Sequence, residues 1–123
     1  MGNQWSLIKE LKQTNSNYIE ALAEVPADSP WFSGHFPGEP ILPGIALVHL
    51  VKETITQEAQ KQGEQLQYHT FRRVRFTQPV RPGEKLAVSI IDEDMGDDVM
   101  FHFKVVSEGT VVSSGMITAK KIK

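Results

Sequence analysis

Cysteine is missing from the 123 residues of this chain. Its absence excludes disulfide bonds, zinc sites built from thiolates and a cysteine nucleophile. A basic excess is missing as well, because 13 Lys and Arg stand against 15 Asp and Glu, for a formal net charge of −2. Proteins that hold nucleic acid through its phosphates usually carry such an excess, so we expect no nucleic-acid partner.

Long apolar runs are also missing. The nearest candidate, residues 41–51, contains Pro43 and His49 and is shorter than the roughly 20 residues that a membrane-spanning helix needs. Residues 1–11 lack the apolar core of a secretory signal. We therefore expect a cytoplasmic protein without membrane association. No cluster of His, Asp and Glu has the spacing of metal ligands, so the sequence predicts no metal site.

The composition that remains is typical of a globular domain. Apolar residues make up 40% of the chain and charged residues 23%. A chain of this length can bury a core large enough to fold without crosslinks. We therefore predict a single domain over residues 1–123.

The apolar pattern of the first half predicts a hairpin, a loop and one long helix. Residues 5–11 and 18–25 alternate like strands around a run of turn formers, although the first run also fits a short helix. Residues 26–43 are rich in proline and glycine and read as a loop. A helical pattern then runs from Gly44 to a C-cap at Gly63, and we expect its second half to emerge into solvent. The apolar stripe of this helix is marked by Val48, Val51, Ile55 and Ala59.

The second half of the chain reads as strands separated by turns. The strand-like runs cover residues 67–80, 86–91, 99–106 and 111–122, with turns at 82–83, 92–98 and 108–109. This succession predicts a four-stranded meander. The whole pattern predicts an α+β fold in which an antiparallel sheet packs one face against the helix. An open edge strand would favour pairing across a two-fold axis.

The most distinctive segment covers residues 33–45 and reads SGHFPGEPILPGI. Its prolines restrict the backbone on the C-terminal side of His35, so the imidazole is held at low entropic cost. Gly44 opens the helix, and without a Cβ it lets a ligand approach a backbone N–H at the positive end of the helix dipole. A positioned imidazole beside an exposed N–H donor is what proton abstraction next to a carbonyl requires.

Residues 35–45 resemble the signature of the 3-hydroxyacyl-acyl carrier protein dehydratases, which have the hot-dog fold, and residues 71–86 look like that family's long strand and Pro-Gly turn. The resemblance covers roughly residues 18–119. It implies a central helix wrapped by an antiparallel sheet. It also implies dimers that place the loop histidine of one protomer near the helix of the other, with the acyl chain in a tunnel between them. The substrate-binding residues that it implies are Phe36, Pro43, Gly44 and Ile45.

The chain departs from the family at two helix positions. His49 stands where the family has the carboxylate that helps water leave, and Glu53 stands where it usually has glutamine. One interpretation makes His49 a neutral core residue. A second makes it a replacement acid or base, with Glu53 as the partner that holds its tautomer, since the two lie four residues apart on one helical face. A third is that the reaction differs, for example thioester hydrolysis.

The resemblance implies a homodimeric enzyme acting on acyl thioesters, with further assembly left open. The specific reaction that the resemblance implies is removal of water from a 3-hydroxyacyl thioester to give a trans-2-enoyl thioester, in fatty-acid or related acyl-chain biosynthesis. His35 would take the α-proton, the Gly44 N–H would hold the thioester oxygen, and His49 of the partner protomer would protonate the leaving hydroxyl. The alternatives are an acyl thioesterase and a non-catalytic acyl-binding subunit.

The resemblance also implies a carrier for the substrate. That carrier is the phosphopantetheine of acyl carrier protein or of coenzyme A, and no further cofactor is expected. A basic run could dock the acidic carrier protein, although a solvated strand face is the favoured interpretation. Its members are Arg72, Arg73, Arg75 and Arg81.

Overall fold

The computed structural model describes residues 6–15, 17–32 and 41–122. His35 and Phe36, with the rest of segment 33–40, lie outside the described residues. Within the described ranges, one α-helix packs against one antiparallel sheet of six strands. The elements in chain order are β1 (Ile8–Asn15), β2 (Tyr18–Glu24), a short 3-10 helix (Pro30–Phe32), α1 (Gly44–Lys61), β3 (Gln65–Phe76), β4 (Lys85–Met95), β5 (Asp98–Ser107) and β6 (Thr110–Ile122).

The α+β architecture is confirmed, but the predicted four-stranded meander is wrong. The strand order is β1-β2-β4-β5-β6-β3, so only β4, β5 and β6 form a meander, and β3 lies at the far edge beside β6. A tight hairpin needs a short turn, whereas residues 77–84 separate β3 from β4. Thr77 also fastens the end of β3 to β6, because its N–H donates to Val112 O at 2.9 Å and its hydroxyl donates to Val111 O at 2.7 Å.

The first hairpin is confirmed, and residues 8–15 form a strand rather than the alternative helix. The turn predicted at residues 92–98 is too long. Strand β4 continues to Met95, and only Gly96 and Asp97 remain between β4 and β5. Gly96 takes φ +89°, which a tight turn needs and a side chain would oppose.

The buried face of the helix is rotated slightly from the predicted apolar stripe. The predicted members Val48 and Ala59 are only half-buried. The stripe passes through Leu47 instead, and the polar Thr54 lies within it, with its hydroxyl donating to Leu50 O at 2.8 Å. The buried helix residues are Ala46, Leu47, Leu50, Val51, Thr54, Ile55 and Glu58. The second half of the helix therefore stays on the sheet instead of emerging into solvent.

The core lies between this stripe and the concave face of the sheet. Alternate residues of β2, β4 and β5 point inward, as a half-buried antiparallel sheet requires. Those inward residues include Ile19, Ala21, Leu86, Val88, Ile90, Phe101, Phe103 and Val105. Within the described ranges, no helix combines the length and the apolar character needed to cross a membrane.

Strand β3 is irregular next to Gly115 of β6. Its pairing register shifts between Arg72 and Arg75, and Arg73 takes φ +54°. This bulge brings Val74 so close that a Cβ on Gly115 would lie 2.9 Å from Val74 Cα and 3.0 Å from Phe103 Cζ. The bulge therefore requires glycine at position 115.

Candidate functional site

The first part of the candidate site is the start of α1. Pro43 precedes the helix in an extended conformation, with φ −65° and ψ 148°, and no side chain of the described residues caps the start of the helix. The first N–H groups of a helix have no partner inside it, and they carry its partial positive charge. Ile45, in the same turn, is 70% exposed although it is a large apolar residue. The start of the helix thus offers both a hydrogen-bond donor and an apolar side chain to a ligand or a second molecule.

Phe76, at the end of β3, covers Gly44. A Cβ on Gly44 would lie 2.9 Å from ring atoms of Phe76, so a larger residue at position 44 would push this ring aside. Phe76 is itself 51% exposed and lines, with Gly44, Leu47 and Val80, a cavity of about 260 Å³. A ligand that approaches Gly44 from this side has to displace the ring. The sequence indicates only a strand residue at position 76, since its contact with the helix depends on the fold.

His49 is the second part of the candidate site. Its side chain is half-buried, and its Nε2 atom is buried without a hydrogen-bond partner among the described residues. Its ring packs against Trp31 of the 3-10 helix, with ring centroids 5.5 Å apart and planes tilted by 53°. His49 also lines a groove of about 340 Å³ along the polar side of α1, together with Lys52, Glu53 and Thr56.

Glu53 does not take the expected role of partner to His49. The Ser6 hydroxyl donates a hydrogen bond of 2.7 Å to Glu53 Oε1. Among the described residues, neither a hydrogen bond nor an ion pair joins Glu53 to His49. The two share one groove, as their spacing predicts, but the carboxylate is engaged by a residue that lies 47 positions away in the sequence.

A cluster around Tyr68 ties α1 to β3 through Lys52 and Thr56, two residues that line this groove. The Tyr68 hydroxyl lies 2.6 Å from Thr56 Oγ1 and donates to Lys52 O at 3.1 Å. Lys52 Nζ lies 5.3 Å from the Tyr68 ring centroid and 6.0 Å from that of Phe71, which is within the range of a cation–π contact. Burial raises the pKa of the Tyr68 hydroxyl, and the hydrogen bond with Thr56 partly offsets this. Tyr68 is therefore a neutral anchor.

Gly44 and His49 do not meet in one cavity. Five residues of helix separate them by about 7.5 Å along the axis and by about 140° around it. The cavity lined by Gly44 and the groove lined by His49 share no residue. Within one chain, the two groups therefore cannot contact the same reacting atoms of a small substrate.

The other histidines lie outside the candidate site. His69 Nε2 is 3.6 Å from Asp98 Oδ2, and His102 Nε2 is 3.2 Å from Glu93 Oε1, all four on the exposed part of the sheet. In the part of the chain that the structure describes, no group of three or more His, Cys, Asp or Glu could hold a metal ion. The basic run is exposed, as the favoured interpretation has it; it consists of Arg72, Arg73, Arg75 and Arg81.

A further cavity, of about 190 Å³, lies at the opposite end of α1, away from every residue predicted for the site. It is lined by carboxylates, among them Glu58, Asp92 and Asp94, and by Lys121. Burial raises the pKa of Asp92, and the neighbouring negative charge of Asp94 raises it further, while Lys121 acts in the opposite direction.

The described residues form one α-helix wrapped by a six-stranded antiparallel sheet, which is the hot-dog fold, and solved structures share it. The dehydratase heterocomplex ApeI:P from Xenorhabdus doucetiae matches with a TM-score of 0.72 and 23% identity, over 94% of this chain and 97% of that one. A hypothetical thioesterase with coenzyme A from Streptococcus pneumoniae TIGR4 matches with a TM-score of 0.71 and 9% identity, over 91% and 86%. At these identities the likeness establishes the fold alone.

The sequence establishes the family. A family model described as ApeI-like, ApeI dehydratase, matches residues 10–116, and the chain belongs to this family. It is 33% identical over 89 residues to the 3-hydroxyacyl-[acyl-carrier-protein] dehydratase FabZ of Syntrophobacter fumaroxidans, which covers 68% of this chain and 60% of the relative. It is 32% identical over 106 residues to FabZ of Agrobacterium fabrum, which covers 82% and 69%. The chain thus spans about two thirds of the length of these relatives.

Proposed function

We propose that the protein is a homodimeric enzyme that removes water from a 3-hydroxyacyl thioester and leaves a trans-2-enoyl thioester. Membership of a dehydratase family supports the reaction class. The substrate would be carried on the phosphopantetheine of acyl carrier protein or coenzyme A. No further cofactor is needed, because the elimination moves only protons and a hydroxyl group.

The observation that carries the proposal is the separation of Gly44 and His49 on different sides of α1. A site that uses both has to take one from each of two protomers. The edge where two protomers would meet is β3, whose outer side is not paired within the sheet. Apolar residues that monomers usually bury are exposed there and at the adjacent helix start, namely Phe71, Phe76 and Ile45. Pairing two β3 edges across a two-fold axis would cover them.

The proposed chemistry needs two proton transfers. His35 accepts the proton from the α-carbon, and the Gly44 N–H donates a hydrogen bond to the thioester oxygen as negative charge develops there. His49 of the other protomer, in its imidazolium form, gives its proton to the 3-hydroxyl. The carbon–oxygen bond then breaks and water leaves. The role of His35 rests on the resemblance of residues 35–45 to the dehydratase signature, whereas that of His49 also rests on its buried Nε2, which has no hydrogen-bond partner among the described residues.

Two other functions fit particular observations. A hypothetical thioesterase has the same fold, and His49, in place of the carboxylate that the resemblance implies, is compatible with thioester hydrolysis. A non-catalytic subunit is the second alternative, since a dehydratase that shares the fold is described as a heterocomplex. In that case the acyl site would be completed by a different chain.

One incubation separates the three functions. The purified protein is mixed with a 3-hydroxyacyl thioester of coenzyme A and, separately, of acyl carrier protein. Enoyl formation is followed by ultraviolet absorbance, and free thiol by a thiol reagent. Enoyl product without thiol supports the dehydratase, and thiol without enoyl product supports the thioesterase. Neither product from either substrate contradicts both enzyme proposals and favours the non-catalytic subunit.

A further inference from the structure

Within the described part of the chain, the Nε2 atom of His49 lacks a hydrogen bond of the kind that usually fixes a reacting imidazole. A histidine that transfers protons is normally oriented through its second nitrogen, by a carboxylate or a backbone carbonyl. Among the described residues, nothing bonds to His49 Nε2. The nearest carboxylate on the same helix face, Glu53, is engaged by Ser6. Another contact has to define the ring orientation if His49 is to act at a fixed place.

Trp31 supplies such a contact. Its ring centroid lies 5.5 Å from that of His49, at a tilt of 53°, within the range of favourable aromatic pairs. This separation is short enough to restrict rotation of the imidazole.

The backbone around Trp31 is itself fixed. The buried Ser29 accepts a hydrogen bond of 3.3 Å on its hydroxyl from the Trp31 N–H, and its carbonyl accepts one of 3.1 Å from the Phe32 N–H. The Ser29 N–H in turn donates to Pro26 O at 3.1 Å. The Trp31 ring also packs against the core. Because its backbone and its ring are both fixed, Trp31 can restrict the orientation of the neighbouring His49 ring.

We propose that Trp31 is a positioning residue that orients the His49 ring for proton transfer. The inference rests on the proposed function, because it assigns Trp31 a role through His49 and none in the chemistry itself. Trp31 lies four positions before His35 in the sequence. In the sequence, the segment that contacts His49 therefore lies directly before the segment that contains His35.

A set of three variants tests the positioning role kinetically. Trp31→Ala removes the ring, Trp31→Phe keeps an aromatic ring, and Phe32→Ala is the matched control on the same 3-10 helix. We expect kcat to fall by about tenfold or more in Trp31→Ala with KM within about twofold of wild type, because misplacing a reacting group costs turnover more than binding. We expect Trp31→Phe to recover most of kcat. Unchanged kcat in Trp31→Ala, or an equal loss in Phe32→Ala, overturns the proposal, as does failure of Trp31→Phe to rescue.

Nuclear magnetic resonance gives a readout that does not depend on activity. The ring protons of His49, assigned by their loss in His49→Leu, should be shifted by the indole ring current in the wild type. In Trp31→Ala they should move toward the positions of the exposed His69 and His102. A His49 signal that keeps its position in Trp31→Ala overturns the proposal whatever the reaction is. If the wild type forms no enoyl product while the signal does move, the dehydratase proposal fails and the orienting contact stands. The kinetic comparison is then made on thiol release.

Discussion

Mixing two inactive variants tests whether the site is shared between protomers. His35→Ala and His49→Leu each remove one proton-transfer group, and each should lower dehydration by at least about 100-fold on its own. In the proposed function, an intact site takes His49 from one chain and Gly44 from the other, because the two residues line different cavities on different sides of the helix. A dimer made of one His35→Ala chain and one His49→Leu chain then has two different sites. One site lacks both histidines, and the other site contains both.

The expected recovery follows from random reassortment. After the two variants are mixed in equal amounts, partly unfolded in urea and refolded, half of the dimers are mixed and half of their sites are intact. Dehydration, measured by enoyl absorbance, should therefore rise to about a quarter of the wild-type value per protomer. If both histidines act within one chain, no combination of the two variants contains an intact site. Activity that stays at the level of the single variants would refute the shared site.

A second mixture serves as the control. Wild type is reassorted with the double variant His35→Ala/His49→Leu. If the site is shared, every mixed dimer has two broken sites, so activity falls from one half to about one quarter of the wild-type value. If each chain holds its own site, activity stays at one half. For a shared site, activity therefore rises in the first mixture and falls in the second. Loss of activity during refolding cannot explain both changes.

Three further predictions concern single positions. His49→Glu, which restores the family carboxylate, should preserve or increase enoyl formation, whereas His49→Leu should abolish it; full activity in His49→Leu would show that the residue is only structural. Asp92→Asn should raise the melting temperature at neutral pH, because burial and Asp94 raise the pKa of Asp92 and its ionised form therefore disfavours the folded state. That gain should shrink as the pH falls through the raised pKa toward the ordinary carboxyl range, and a gain that is constant with pH would contradict this cause. Gly115→Ala should cost about 1–3 kcal/mol of unfolding free energy in urea, because the new Cβ would meet Val74 Cα at 2.9 Å, and an unchanged transition would show that the bulge adjusts freely.

The position of β3 illustrates what sequence patterns can and cannot specify. Alternation and turn residues locate the strands after the helix, because each depends on neighbouring residues. They do not specify which strands pair, and β3 pairs with β6, which is distant in the sequence, with its end held there by contacts such as that of Thr77 with Val111. The helix face poses a similar problem, since Leu47 and Val48 are both apolar and adjacent. Only packing against the sheet selects the stripe through Leu47.

In the candidate site, too, the sequence specifies the positions of residues in the elements but not their contacts with distant parts of the chain. The sequence places Gly44 at the helix start and His49 on the helix, and the structure has both there. The contacts that define their surroundings join distant parts of the chain, as Ser6 does with Glu53 and Trp31 does with His49. No local pattern encodes such pairs, so the expected partnership of Glu53 with His49 could not be checked from spacing alone.

The two edges of the sheet have different consequences for growth into larger particles. The β1 edge carries the exposed charges of Lys9, Glu10 and Lys12, and its register is broken near both ends. Charges and irregularities of this kind discourage another strand from adding. In the proposed dimer, the β3 edges of the two chains pair with each other, so neither chain keeps an edge that readily accepts another strand. If β3 of one chain paired instead with β1 of the next, an unpaired β3 edge would remain after every addition, and the chains would build a fibre. If the proposed dimer forms, this asymmetry between the edges would end association at two chains along the sheet and would protect the protein from polymerising.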